Sequence, residues 1–333
     1  MIFIDNEGVT NPHLNLALEE YALRNLDYSH DYLLFYINDP SIIIGRNQNT
    51  LEEINHEYVE QEDIYVVRRI SGGGAVYHDT GNLNFSFITD YDKKHLNNFR
   101  KFTDPVIRVL ESMGVNAALS GRNDIQVDGR KISGNAQFSS VKRMFSHGTL
   151  LFDSDLSEVT NALDVKMSKI QSKGHKSVRS RVANISEFLD EPMPVTVFRE
   201  KLLEGLYEYR DDFETYQLTE KEWAEVHELK NEKYDQWDWN FGKSPKFNIK
   251  RSRRFEAGEI DLRLDVEKGH IENVKIYGDF FGKEPVEQLE DHLQGARYDR
   301  EEVEELLSPI DIEGYFGSVP KEEFIELVYG ADE

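Results

Sequence analysis

Three sets of residues have the types and spacing that chemistry requires. In Arg68-Arg69-Ile70-Ser71-Gly72-Gly73-Gly74-Ala75-Val76-Tyr77, two arginines stand beside three successive glycines. Glycines let a backbone approach a ligand without Cβ clashes and can turn several N–H groups toward one anion. An arginine next to such a loop adds a planar donor fork for phosphate or carboxylate. The run is neither a Walker A sequence nor a GxGxxG fingerprint, and a plain glycine turn between two strands is the alternative reading. Lys131 is the second candidate. A lone lysine is ordinarily a surface charge, but this one follows an Asp128-Gly129 turn and precedes Ser133-Gly134, a stiff setting for a cation. Asp124, on the opposing strand, could face it as a metal ligand or as an orienting carboxylate.

The third set is basic. Lys166, Lys169, Lys173, Lys176, Arg179 and Arg181, with His175, form a stretch without an acid, and Lys243–Arg254 repeats the pattern. Such runs are usually solvated faces. Here they interrupt a chain in which 39 Lys+Arg face 63 Asp+Glu, a net charge of −24. They are therefore also places where phosphates could arrive, as in cationic loops that close over a nucleotide. The global charge excludes a general electrostatic nucleic-acid binder. The absence of cysteine excludes disulfides, cysteine-ligated zinc, Fe–S clusters and a thiol nucleophile. Neither HExxH nor GxSxG occurs, and Ser146 and His147 are neighbours on a strand, where they face opposite sides. With no signal peptide and no apolar run near the ~20 residues that span a bilayer, a cytoplasmic protein with no membrane partner is expected.

These residues need elements to hold them. Asn11-Pro12 reads as a helix start, with Leu14, Ala17, Leu18 and Tyr21 on one face. Strands are predicted at Tyr32–Ile37, Ser41–Ile44, Ile64–Arg69, Leu83–Ile88 and His147–Phe152, the fourth with one apolar face. Asp104-Pro105 reads as the opening of a second helix. Asp128-Gly129 has the signature of a type I′ hairpin turn within Asp124–Ser133. Helical texture covers about residues 195–230, with a capping box at Thr219 and Glu222. Trp237–Gly242 with Ser244-Pro245 reads as a linker packed onto the body, followed by a hairpin through Ile260–Val266 and Ile271–Tyr277 and helices near 284–294, 299–307 and 319–329. The length, 333 residues, suggests about two domains and an α+β class.

Several blocks in order resemble the lipoate–protein ligase family. They are Asn15-x-Ala17-Leu18-Glu19-Glu20, Ile44-Gly45-Arg46-Asn47-Gln48-Asn49, the Arg68–Asn82 run, Gly121–Ile125, Lys131-Ile132-Ser133-Gly134 and His147–Leu151. Lys173-Gly174-x-x-Ser177-Val178-x-Ser180-Arg181, Trp239–Gly242 and Asp265–Glu272 continue the match. No single block is specific; their order over most of the chain is.

The resemblance implies a mixed-sheet catalytic domain of the biotin/lipoate ligase type over residues 1–242 and a small α/β accessory domain over 243–333. It also implies the reaction: lipoate and ATP form lipoyl-AMP, and the lipoyl group passes to a lysine of a lipoyl domain or of the glycine-cleavage H protein. By resemblance Lys131 is catalytic and contacts both lipoate and ATP. Arg69, Gly74, Ala75, Val76 and Tyr77 accompany the nucleotide, and Arg69, Ser71, Gly72 and Gly73 the lipoate. Lys173, Gly174, Ser177 and Arg181 belong to a loop covering the adenylate. Mg²⁺ is expected beside the phosphates, with Asp124 as its candidate ligand, and a monomer is expected. Octanoyltransferases and lipoyl amidotransferases of similar fold use a cysteine thioester, a route closed to this chain. A transferase of preformed lipoyl-adenylate, a biotin ligase and a non-catalytic lipoate- or nucleotide-binding protein are the alternatives.

Overall fold

Alternating and wholly apolar runs become strands, and among the described residues those of the first 240 assemble into two sheets. The computed structural model describes residues 1–50, 53–91, 96–163, 181–208, 213–241, 249–267, 269–298 and 300–329. The chain divides into two units, one of Met1–Ile44, Leu51–Arg69 and Ala75–Asn240, the other of Gly45–Thr50, Ile70–Gly74 and Phe241–Glu333. The boundary expected after residue 242 lies outside the described residues.

The first unit begins β1 (Ile2–Asp5), α1 (Pro12–Asn25), β2 (Tyr32–Ile37), β3 (Ser41–Ile44), α2 (His56–Gln61), β4 (Tyr65–Arg68), β5 (Val76–His78) and β6 (Asn82–Asp90). It continues with α3 (Phe99–Ser112), β7 (Ala118–Ser120), β8 (Asp124–Val127), β9 (Arg130–Ser139), β10 (Arg143–Leu151) and α4 (Leu156–Ala162). Then come α5 (Val195–Leu206), β11 (Thr215–Gln217), α6 (Glu220–Leu229), a π-helical turn at Lys230–Tyr234 and α7 (Trp237–Asn240). Eight strands form a mixed sheet in the order β11-β1-β2-β6-β10-β9-β8-β7. β1 pairs in parallel with both neighbours, and from β2 onward the pairs are antiparallel. The order of the smaller sheet is β4-β3-β5. One core, including Phe35, Phe85, Leu110, Ile132 and Phe152, lies against the large sheet.

Local signals act as their chemistry requires. Asn11 Oδ1 accepts the Leu14 N–H at the start of α1. Thr219 and Glu222 form the capping box of α6. Asp128 and Gly129 both have positive φ, 51° and 75°, as a type I′ turn demands.

Tertiary packing overrides other expectations. The helix expected to open at Asp104-Pro105 starts at Phe99, with Asn98 as its cap, and carries Pro105 inside. Proline forfeits one helical hydrogen bond, but Phe99, Phe102, Val106, Ile107 and Leu110 bury a face that holds the helix together. β6 keeps its apolar face, yet Asn82, Asn84 and Ser86 on the other face are buried as well. Trp237–Asn240, expected as part of a linker packed onto the body, groups with the first unit as a helical turn, while Ser244 and Pro245 lie outside the described residues.

In the second unit β12 (Ile249–Phe255), β13 (Gly258–Glu267) and β14 (His270–Gly278) form an antiparallel sheet. Where three helices were expected, the described residues hold four: α8 (Val286–Leu293), α9 (Arg300–Leu307), α10 (Ile312–Phe316) and α11 (Lys321–Tyr329). Ile260, Leu262, Leu289, Val303, Phe316 and Phe324 are among the residues of a separate core. No helix among the described residues is long and apolar enough to cross a membrane.

Candidate active site

The β8–β9 hairpin holds Lys131 more tightly than its turn alone requires. Its N–H donates to the Arg181 carbonyl (2.7 Å), and its own carbonyl accepts the Ala183 N–H (3.0 Å). The ladder slips by one residue: Ile125 opposes Ser133, while Gln126 opposes Lys131. Ile132 is therefore a bulge, and bulges re-aim side chains. In an unbroken strand residues three apart face opposite sides. Here the Lys131 side chain lies over Gly134, where a Cβ would sit 2.8 Å from Nζ. Lys131 Nζ reaches Asp124 Oδ1 at 2.8 Å, with both side chains partly open to solvent. Asp124 and Lys131 thus form an ion pair across the hairpin.

From this pair a row of side chains crosses the large sheet. Asp124 opposes Gly134, the Gly134 N–H donates to Thr149 Oγ1, Thr149 opposes Asn84, and Asn84 opposes Tyr36. Five strands at ~4.8 Å spacing make this row about 19 Å long. In the adjacent row Ala136 opposes His147, His147 opposes Ser86, and Ser86 opposes Leu34. Ser86 Oγ and Asn82 Oδ1 are buried without a hydrogen-bond partner among the described residues. Buried polar atoms are normally paired, so an interior face with orphans is a face suited to a polar ligand.

At the Tyr36 end stands a cluster of buried titratable groups that no single motif identified. Arg69 is buried, with Nη1 donating to the Ile43 carbonyl at 3.0 Å. Burial lowers its pKa to about 10, against the upward pull of Tyr36 and Glu19 and with Arg68 adding to the fall. His147 Nδ1 lies 3.0 Å from the Glu19 carboxylate. His78 is driven down to about 3 by burial, then by the charges of Arg69 and His147, and is neutral at pH 7. Its Nδ1 faces Asn38 Nδ2 at 3.0 Å, and its Nε2 has no partner among the described residues. Glu19, His78 and His147 stand within the family-like blocks, but only their convergence marks them. The available signal was acidic residues at Glu19 and Glu20, beside an apolar helical stripe, where a solvated face would be more ordinary.

The other predicted residues divide between the two units. Ala75, Val76 and Tyr77 belong to the first, where Val76 and Tyr77 pair with β3 and burial pushes the Tyr77 hydroxyl up. Ser71, Gly72, Gly73 and Gly74 group with the second. There the Arg46 N–H donates to the Ser71 carbonyl, and the Gly278 N–H to that of Asn47. A Cβ on Gly72 would meet the Phe280 carbonyl at 2.6 Å, so this glycine answers to a close backbone approach. Arg181 contributes its carbonyl to Lys131. Lys173, Gly174 and Ser177 lie outside the described residues, as does most of that basic stretch. In the other stretch, Arg253 pairs with Glu323 and Glu326, Arg254 with Asp279, and Lys250 lies 3.9 Å from Asp261. These are ion pairs within one unit, as on a solvated face; Lys243 and Lys246 of this stretch lie outside the described residues. No group of three or more metal-ligating side chains occurs among the described residues.

Comparison with known proteins gives the same direction along the whole chain. A family model described as the lipoyl protein ligase A/B catalytic domain matches residues 11–207, and one described as the bacterial lipoate protein ligase C-terminus matches 244–328. Lipoate-protein ligase LplJ of Bacillus subtilis is 56% identical over 99% of this chain and 100% of its own. Lipoate–protein ligase 1 of Staphylococcus aureus is 53% identical, covering 98% of this chain and 100% of that one. Among solved structures, P. falciparum LipL1 in complex with lipoate has a TM-score of 0.76 at 25% identity, covering 98% of this chain and 97% of that one. A lipoate-protein ligase A bound with ATP has a TM-score of 0.61 at 32% identity, over 70% of this chain and 94% of that one. A bi-partite lipoate protein ligase from Thermoplasma acidophilum, studied with its E2 lipoyl domain, has a TM-score of 0.64 at 32% identity, over 74% and 98%. With both family models matched and more than half its residues shared with two ligases over nearly its whole length, this chain belongs to the lipoate–protein ligase family.

Proposed function

We propose that this chain uses ATP to activate lipoate and then lipoylates a lysine on an acceptor protein. In the first half-reaction a lipoate carboxylate oxygen attacks the α-phosphorus of ATP. The bond to the β-phosphate breaks, giving lipoyl-AMP and diphosphate. In the second, the acceptor ε-amine attacks the lipoyl carbonyl, loses a proton and expels AMP. The observation that carries the reading is Lys131, clasped on both sides of its backbone with Nζ 2.8 Å from Asp124. Two anions that must meet repel each other, and a fixed cation between them stabilises the transition state most.

On this reading Lys131 contacts the lipoyl carboxyl and the α-phosphate. Arg69, Ser71, Gly72 and Gly73 contribute to the lipoate site, and Arg69 with Gly74, Ala75, Val76 and Tyr77 to that of the nucleotide. Lys173, Gly174, Ser177 and Arg181 belong to the covering loop. ATP and lipoate as substrates are supported by the relatives solved with each. Lipoyl domains as acceptors are supported by the archaeal ligase studied with one; the glycine-cleavage H protein is the other acceptor of this reading. A Mg²⁺ ion fits beside Asp124 if phosphate oxygens supply most of its ligands, as is usual for this ion, and it would neutralise the departing diphosphate. The proposal includes a catalytic domain at 1–242, an accessory domain at 243–333, a monomer and a cytoplasmic address.

The test is lipoate-dependent ATP–diphosphate exchange with Mg²⁺, biotin serving as the comparison acid, followed by the mass shift of an apo lipoyl domain. Exchange with lipoate, none with biotin, and a loss of ~10³-fold in folded Lys131→Ala are expected. A folded wild-type protein that modifies the acceptor only from preformed lipoyl-AMP would replace the proposal with a transferase.

A further inference from the structure

β4 is an edge strand of the small sheet, and at its last residue the outer edge is closed by side chains. The Arg68 N–H donates to Asn240 Oδ1 (2.9 Å), and the Trp239 indole N–H donates to the Arg68 carbonyl (2.8 Å). The Arg68 guanidinium donates back, from Nε to the Trp239 carbonyl (2.9 Å) and from Nη2 to the Asn240 carbonyl (3.3 Å). Trp239 and Asn240 thus occupy both backbone hydrogen-bonding positions of Arg68, as a neighbouring strand would.

The clamp is itself anchored. Asn240 Nδ2 donates to the Tyr234 carbonyl (2.6 Å), at the end of the π-helical turn. Lys233 Nζ stands 4.3 Å from the Trp239 ring centre and 2.7 Å from buried Glu20, which also accepts the Tyr234 hydroxyl. π-Turns are a costly local choice that recurs at functional sites. This one directs its last carbonyl at Asn240. On the inner side, the next residue is held to β3: the Arg69 N–H donates to the Ile44 carbonyl (2.9 Å).

We infer that Trp239 and Asn240 are positioning residues for Arg69. By locking Arg68 from the outer edge they determine where the chain leaves β4 and hence where the Arg69 guanidinium points. The inference rests on the proposal that Arg69 contributes to lipoate binding. A residue acting only through Arg69 has no effect once Arg69 is gone, whereas one that merely stabilises the fold acts in either background.

The experiment is a double-mutant cycle on the full chain, read as the Kd for lipoate by calorimetry, with melting temperatures beside it. Trp239→Phe removes the indole N–H and keeps a ring against Lys233. Arg69→Met removes the guanidinium and keeps the packing. Trp239→Phe is expected to weaken lipoate binding about 10-fold in the wild-type background, since small misplacements of binding groups are costly. In the Arg69→Met background the same change is expected to shift Kd by less than ~2-fold. Asn240→Ala gives the same pair of readings if Trp239→Phe does not fold. An equal weakening in both backgrounds, or none in either, overturns the inference. Unchanged lipoate binding in folded Arg69→Met overturns the proposed role of Arg69 itself, and the inference falls with it.

Discussion

Lys131 and Arg69 are both cations at a strand end, and they are held in opposite ways. Lys131 is aimed mainly by close neighbours in sequence, namely the Asp128-Gly129 turn, the bulge at Ile132, the bare Gly134 and the facing Asp124, while Arg181 and Ala183 hold its backbone from further along the chain. Arg69 sits where β4 ends, and the groups that fix that point include Trp239 and Asn240, 171 and 172 residues beyond Arg68. One is partly open to solvent, and the other is buried near Glu19, Tyr36 and His78. A hairpin needs only one further segment to fix a half-exposed side chain; a buried charge needs the domain folded around it.

Four measurements would sharpen or break this contrast. The largest effect belongs to the buried region. His78 is held down to about 3 by burial, Arg69 and His147, against an ordinary value of 6.5. The unfolded chain therefore binds a proton that the native state refuses between those values, and stability falls as pH drops through that window. In urea melts, His78→Gln should gain on wild type by about 1.4 kcal/mol per pH unit below about 6.5, ending near pH 3. Parallel stability curves would mean that His78 is not buried neutral. Next comes the hairpin. Asp124→Asn leaves Lys131 without its ion-pair partner and should slow exchange about 30-fold, roughly 2 kcal/mol of transition-state stabilisation, with little change in melting temperature. A large melting shift would make Asp124 a structural partner instead.

Gly134→Ala probes the same end more gently. The new methyl meets only the tip of Lys131, so the side chain moves and the strand does not; exchange should drop about 10-fold while the fold is kept. An unchanged rate would show that the direction of Lys131 over Gly134 is immaterial. The smallest effect lies in the second unit. Arg253 pairs with Glu323 and Glu326 on exposed surface, and exposed pairs contribute under ~1 kcal/mol. Arg253→Ala should leave the KM for ATP as it was, and a rise in that KM would return β12 to the list of phosphate-receiving stretches.

Much of this was legible before any coordinates. Asn11-Pro12, Thr219 with Glu222, and Asp128-Gly129 each carry their instruction within a few residues, and each acts as read. The helix at Ile312–Phe316 and the strand at Thr215–Gln217 were not legible, since five and three residues are too few to show a period. Pro105 misled because a residue that favours a first turn was outweighed by the apolar face around it. The same limit applies to the site. Lys131, Asp124 and Arg69 announced themselves by type and setting, whereas Glu19, His78 and His147 needed their neighbours to be seen.

By itself the sequence determined most of the longer elements, the caps at Asn11 and Thr219, the Asp128-Gly129 turn, the exclusion of thiol chemistry and the family. All of these rest on composition or on contacts between residues close along the chain. Only the tertiary structure decided that Ile132 bulges, so that Lys131 lies over Gly134, and that Asn82, Asn84 and Ser86 face an interior. It alone decided that Arg68 is locked by Trp239 and Asn240. Periodicity states which residues share a face; what covers that face, and in which register, depends on partners far along the chain that only folding brings near.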